Sequence, residues 1–295
     1  MTPAKGKYIA SVIIYGTIGM VLRFISFPSE VVVLCRGALG SLLVLLYILI
    51  RKTPPDRRAI RKNLGWLILS GAGLGINWVF LFAAYRKTTV AVASLCNYTA
   101  PMIVLLLSPL LYKDRLTARK KLCVAASFAG IVLVSGVLTG RPEDLNLPGI
   151  ALGLAAALGF VAIILCNRKL RDISAYDKAI VQLFFAAVTV LPYVLIANRG
   201  VHITLDTRSV LLTLMLCVLH TGVAYCLYFG ALGEIPVQAI AVWGYMEPVV
   251  SVLCSTLILG EPLSAAGWIG AALIVGAAVV SELPERSALA HRSGV

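Results

Sequence analysis

A carboxyl beside a proline in the middle of an apolar run is a place for proton or cation chemistry, and Glu247-Pro248 supplies one. A charged carboxylate at bilayer depth costs roughly 2.5 kcal/mol or more unless it is partnered or wet. Glu247 is therefore a candidate to exchange a proton or to contact a substrate amine, the alternative being a protonated, hydrogen-bonded packing residue. Steps of three and four residues place Trp243, Gly244, Glu247 and Ser251 on one helical stripe. Ser94, Asn97, Tyr98 and Pro101 form a second. Polar groups on such apolar helices should face inward, so both stripes are expected on one central cavity. Asn97 could equally serve as glue between helices.

Other side chains bear on the same cavity. Arg36 lies about six residues into an apolar segment. It either snorkels to the outer interface or faces inward, to pair with Glu247 or to receive a carboxylate or phosphate from substrate. His220 either bonds a neighbour or joins proton handling. Asn77, Trp78, Tyr225 and Tyr228 are candidate lining residues, and an aromatic wall suits apolar, aromatic or cationic substrates. Tyr8, Tyr112 and Trp66 lie at segment ends and read as interface anchors. Pro101 and Pro248 each remove a backbone hydrogen bond, giving a kink or hinge where a cavity absorbs the freed carbonyl. The sequence has no GxxxxGK[ST], HExxH, GxSxG or Asp-rich metal motif, so no built-in ATPase, catalytic constellation, metal or cofactor is expected.

The elements holding these residues are written twice. Tyr98-Thr-Ala-Pro101 recurs as Tyr245-Met-Glu-Pro248, 147 residues on. The same offset pairs Gly75 with Gly222, Phe82 with Phe229, Val90 with Val237, Ser108 with Ser255, Asp114 with Glu261 and Val132 with Val279, without a gap. Ala100 stands opposite Glu247, so the carboxyl belongs to one copy only. An internal repeat in an apolar chain points to a carrier built from two related halves.

The composition puts those halves in lipid. Apolar residues make up 60% and charged residues 13%, about half the charged share of a soluble domain, and mean hydropathy is +0.93. Ten segments reach the roughly 20 apolar residues a spanning helix needs: 8–26, 31–50, 64–85, 89–111, 118–138, 148–167, 178–197, 209–231, 236–259 and 264–282. The first could pass for a signal peptide but has no convincing cleavage site and reads as a retained helix. The net charge of +13 sits in short clusters between apolar runs, which argues for membrane orientation and against nucleic acid. With both termini in the cytoplasm, nineteen Lys and Arg, Lys178, Arg286 and Arg292 among them, fall inside. Six fall outside: Arg23, Arg86, Lys87, Arg141, Arg199 and Arg208. Copies five spans apart enter from opposite sides, so the halves, 1–140 and 141–295, are expected to be inverted. The seven cysteines lie in or beside apolar segments without CxxC spacing and read as packing residues. The glycines at 71, 73 and 75, and those at 149 and 153, read as close-approach faces.

Two span-plus-turn units carry a family resemblance. They are Ala93-Ser94 through Pro101 to Tyr112-Lys-Asp114-Arg-Leu116, and Glu247-Pro248 through Leu259-Gly260-Glu261-Pro-Leu263. The chain resembles the ten-helix, EamA-type branch of the drug/metabolite transporter superfamily. The second unit follows the family pattern, whereas Lys113-Asp114 stands where the first would have Gly-Glu. The resemblance implies a secondary transporter or exporter of small metabolites, with substrate between spans 1–4 and 6–9 and with spans 5 and 10 as braces.

The reading is an all-α integral membrane protein of ten transmembrane helices, as two inverted five-helix repeats, in a plasma membrane of bacterial inner-membrane type. Its expected function is export of an amino acid or similar small metabolite by alternating access, with Glu247 as proton-coupling candidate and no cofactor. Its partners are a small-molecule substrate and the lipid bilayer, and a homodimer is compatible with it. The competing classes are a passive channel or lipid scramblase, and a membrane-embedded enzyme.

Overall fold

The structure is a computed structural model that describes residues 2–112, 117–135, 146–199, 205–232, 234–236, 240 and 243–283. The Lys113-Asp114-Arg-Leu116 motif, Val237, Arg141, Arg286, Arg292, the 140/141 division and the C-terminal tail lie outside those residues, as does the side chain of Tyr112.

Every named element is helical, and no β-strand forms among the described residues. In chain order they are α1 (Pro3–Gly16), α2 (Ile18–Leu22), α3 (Ser29–Ile50), α4 (Arg57–Lys87), α5 (Val90–Asn97), α6 (Ala100–Tyr112), α7 (Ala118–Val134), α8 (Leu147–Asn167), α9 (Ala175–Ala197), α10 (Thr207–Cys217), α11 (Ala224–Ala231), α12 (Met246–Leu253) and α13 (Ala265–Glu282). Two π-helical stretches, Val218–Val223 and Cys254–Ile258, follow α10 and α12. Side-chain caps mark several starts: Asp56 for α4, Thr89 for α5, Ser174 for α9, Asp206 for α10 and Ser264 for α13. Each satisfies backbone N–H groups that the first turn leaves free.

Among the described residues seven helices are long and apolar enough to cross a membrane: Ser29–Ile50, Arg57–Lys87, Val90–Leu111, Leu147–Asn167, Ala175–Ala197, Thr207–Ala231 and Ala265–Glu282. Met246–Ile258 is a shorter apolar helix. Their outward faces carry Leu42, Leu46, Leu110, Leu122, Leu257 and Ile258, with Leu110 81% exposed. Exposed Leu and Ile on this scale match a surface solvated by acyl chains.

Small residues set the helix pairs. A methyl on Gly73 would meet the Gly159 carbonyl on α8, and Gly71 and Gly75 lie against Gln182 and Ala186 of α9. Gly149 and Gly153 seat α8 against Thr88 and Cys96. The expected close-approach faces are thus accounted for by packing.

The contacts also give relative direction. Tyr8 meets Tyr228 and Tyr15 meets Tyr225, so α1 runs antiparallel to α11. Gly73 meets Gly159 while the Lys87 carbonyl meets Asn146, so α4 runs antiparallel to α8. Glu30 meets Asn198 and Gly40 meets Leu183, so α3 opposes α9. Gly130 meets Gly270 and Arg119 meets the Leu283 carbonyl, so α7 opposes α13. Ala91 bonds Ser255 and Ser94 bonds Ser251, so α5 opposes α12. Other pairs run parallel, among them α4 with α9, α5 with α8 and α1 with α12.

These pairings gather Lys5, Lys7, Lys62, Arg171 and Lys178 at one end of the bundle, the basic end. Arg23, Arg86, Asp206 and Glu261 lie at the other, where Leu22, Ile25, Phe27, Phe82 and Tyr85 pack into the largest buried cluster.

Candidate functional site

The helix carrying Tyr98-Pro101 is broken, not kinked. α5 ends at Asn97, Tyr98 and Thr99 form a turn, and α6 restarts at Ala100. In the second copy Tyr245 is the turn and α12 restarts at Met246. Pro101 and Pro248 therefore sit in the first turn of a new helix, where a missing N–H leaves nothing unsatisfied. The expected proline kinks are corrected to helix breaks at the two equivalent tyrosines.

Both breaks face a cavity of about 420 Å³. Of the residues singled out from sequence, Arg36, Asn77, Trp78, Asn97, Tyr98, Tyr225 and Glu247 line it, with Pro101 and Gly244. Five lie elsewhere. His220 is 2% exposed, in the π-helical stretch, with Nε2 2.9 Å from Thr17 Oγ1. Trp243 packs in a cluster around Tyr8 and Ile235, with the Lys5 ammonium 5.4 Å from its ring. Pro248 is buried in α12 away from the lining. Ser94 and Ser251, expected on the lining stripes, instead bond each other at 2.6 Å and hold α5 to α12.

Asn77 and Asn97 do two things at once. The Asn77 amide donates to Asn97 Oδ1 at 2.8 Å and to the Ala156 carbonyl at 2.7 Å, tying α4, α5 and α8 together at the cavity wall. Glu247 lines the same cavity, its carboxyl hydrogen-bonded to the Tyr98 hydroxyl. Arg36 does not snorkel. It is 1% exposed, its guanidinium stacks 4.1 Å from the Trp78 ring, and Nε donates to Thr221 Oγ1 at 3.1 Å. The π-helical turn makes that last contact, since the Thr221 hydroxyl also bonds the Leu216 carbonyl five residues back. Widened turns of this kind recur at functional sites.

Sequence reasoning missed several lining residues. Tyr8, read as an interface anchor, is 2% exposed in the wall and donates to the Ile240 carbonyl at 2.7 Å. Trp66, by contrast, is exposed on the outer face as an anchor would be. Lys178, counted with the inside loop charges, lines the cavity where it reaches the basic end, with Asn167 and Gln182. Tyr15 and Tyr85 add to the aromatic wall, with Tyr15 edge-on to Tyr225 at 5.8 Å. A polar residue at the start of an apolar run was the one signal that could have marked Lys178.

Broken helices around a shared internal cavity, in a bundle with an apolar exterior, are the architecture of a helical membrane transport protein. The model of the EamA-like transporter family matches residues 7–136 and 147–282, and the chain belongs to that family. It is a multi-pass membrane transporter of small molecules. Among relatives, it is 24% identical over 256 residues to the uncharacterized transporter YxxF of Bacillus subtilis (strain 168), covering 86% of this chain and 81% of that protein. It is 26% identical over 229 residues to a probable amino-acid metabolite efflux pump of Salmonella typhimurium, covering 73% and 76%. A solved crystal structure 21% identical in sequence superposes with a TM-score of 0.65 over 95% of this chain and 97% of its own.

Proposed function

We propose that this chain is a secondary active exporter of an amino acid or similar small metabolite, working by alternating access in a bacterial inner membrane with both termini cytoplasmic. The observation that carries this reading is the pair of broken helices, antiparallel to each other and presenting equivalent tyrosines to one cavity. Two further facts support ten spans in two inverted five-helix halves. The family model matches two stretches of similar length. The helix pairs also exchange correctly: shifting α1 against α11 by one copy gives α8 against α4, both antiparallel. On this reading the basic end is cytoplasmic, the cavity reaches the cytoplasm at Lys178, and the cluster of Leu22, Ile25 and Phe27 seals the far side. That seal favours a carrier over a passive channel or scramblase.

Glu247 is the proposed proton carrier, and α7 with α13 braces the flank. The decisive experiment reconstitutes the protein in liposomes and follows labelled metabolites with and without a pH gradient, beside Glu247→Gln. Gradient-driven accumulation in the native protein, lost in the variant while exchange persists, is expected. Equal, gradient-insensitive rates in both would remove Glu247 from coupling.

A further inference from the structure

The cavity holds more positive charge than its own residues answer. Arg36 is buried, and its Nη1 has no hydrogen-bond partner. Lys178 lines the same cavity at its basic end. Among the described residues, ion pairs join Arg23 with Glu261 and Lys62 with Asp172, and neither cavity cation takes part in one. Among the described residues Glu247 is the single carboxyl in the wall.

Burying an unpaired guanidinium at bilayer depth is costly. Nε is already committed to Thr221 and one face of the plane to Trp78. What remains is the outer edge of the fork, whose geometry matches a carboxylate. The surrounding wall is Tyr15, Trp78, Phe82, Tyr85 and Tyr225, which offers apolar and ring-edge contacts. The second charge of a phosphate dianion would be repelled by Glu247 in the same wall.

Resting on the transport reading, we propose that the cavity selects small carboxylates with an apolar or aromatic body, the carboxylate seated on Arg36. Lys178 supplies the field that draws the anion in from the basic end. Glu247 lines the same cavity and is the group that an α-ammonium on the same molecule would meet. An amino acid satisfies both charges, and a simple organic acid satisfies the first.

The test uses compounds in matched sets, with the full-length protein in liposomes. Leucine, leucinamide and isoamylamine form one set; phenylalanine, phenylalaninamide, phenethylamine and 3-phenylpropanoate form a second; phenyl phosphate is the competitor. The acids are expected to move at least about tenfold faster than their amides, as loss of one charge-assisted pair implies. Phenyl phosphate should compete weakly. Arg36→Gln should erase the acid-over-amide preference, not merely slow transport. Binding gives a second readout in detergent: Trp78, 4.1 Å from the guanidinium, should change its fluorescence with the acids, and Trp78→Phe should lose that change. Amides or amines moving as well as acids would overturn the carboxylate assignment and leave the transport reading standing, as would Arg36→Gln keeping the preference. Movement and fluorescence change with none of these compounds would count against both.

Discussion

Asn77 is the polar hub of the cavity wall, and its two hydrogen bonds join three helices. Replacing it with Leu leaves Asn97 Oδ1 and the Ala156 carbonyl without their donor in a dry environment. Such interhelical bonds are worth about 1–2 kcal/mol, so Asn77→Leu should lower the thermal midpoint in detergent, and an unchanged midpoint would show that water replaces the amide. A second residue-scale outcome concerns pH. Asp206 caps α10, and hydrogen bonds from Ser26 and then Ser209 hold its carboxyl below its ordinary 3.8. A depressed value means the cap's contribution is fully present above about pH 3.8 and fades as pH falls through the lower folded value. The protection of amides at the start of α10, with the intrinsic pH dependence of exchange divided out, should therefore be constant near neutrality and fall in strong acid, and Asp206→Ala should show the lower protection throughout.

The elements divide into those the amino-acid pattern announces and those that only tertiary packing reveals. Apolar runs, the 147-residue offset and the isolated carboxyl of Glu247 are legible because period and burial are written locally. The helix breaks were read as kinks, since Pro101 and Pro248 mark a disturbance without saying on which side the helix ends. The π-helical stretch that turns Thr221 toward Arg36 has no local signature. Tyr8 and Lys178 look like boundary residues in sequence, and the packing of α1 and α9 brings them into the wall. Glu261 presents a testable case at this scale. It accepts from the Val90 amide at 2.8 Å and from Ser255, and it pairs with Arg23 at the end opposite the basic one. Glu261→Gln weakens a link between α5, α2 and the turn before α13. A single cysteine placed at Ile25, now 2% exposed, should then react faster with a membrane-impermeant maleimide, and no increase would show that the apolar cluster alone closes that end.

On the proposed inverted-repeat reading, the two halves touch through helix pairs that map onto one another, which leaves motion of one half against the other few independent directions. Ser94 and Ser251 lie at the contact between α5 and α12 with their oxygens 2.6 Å apart. In a background without the seven native cysteines, a Ser94→Cys, Ser251→Cys pair should cross-link under mild oxidation, because the side chains already approach within bonding reach. On the alternating-access proposal this contact must open, so the cross-linked protein should lose transport and recover it on reduction. Full transport in the oxidised protein would place the moving boundary elsewhere.

The gathering of basic residues at one end has a consequence for biogenesis. Lys5, Lys7, Arg51, Lys52, Arg57, Arg58, Arg61 and Lys62 all precede residue 65 in the chain. A ribosome delivers them before any of the second copy exists. On the proposed topology, orientation is set by the first segments to leave the tunnel, and the charge-poor carboxyl half threads against a half already anchored.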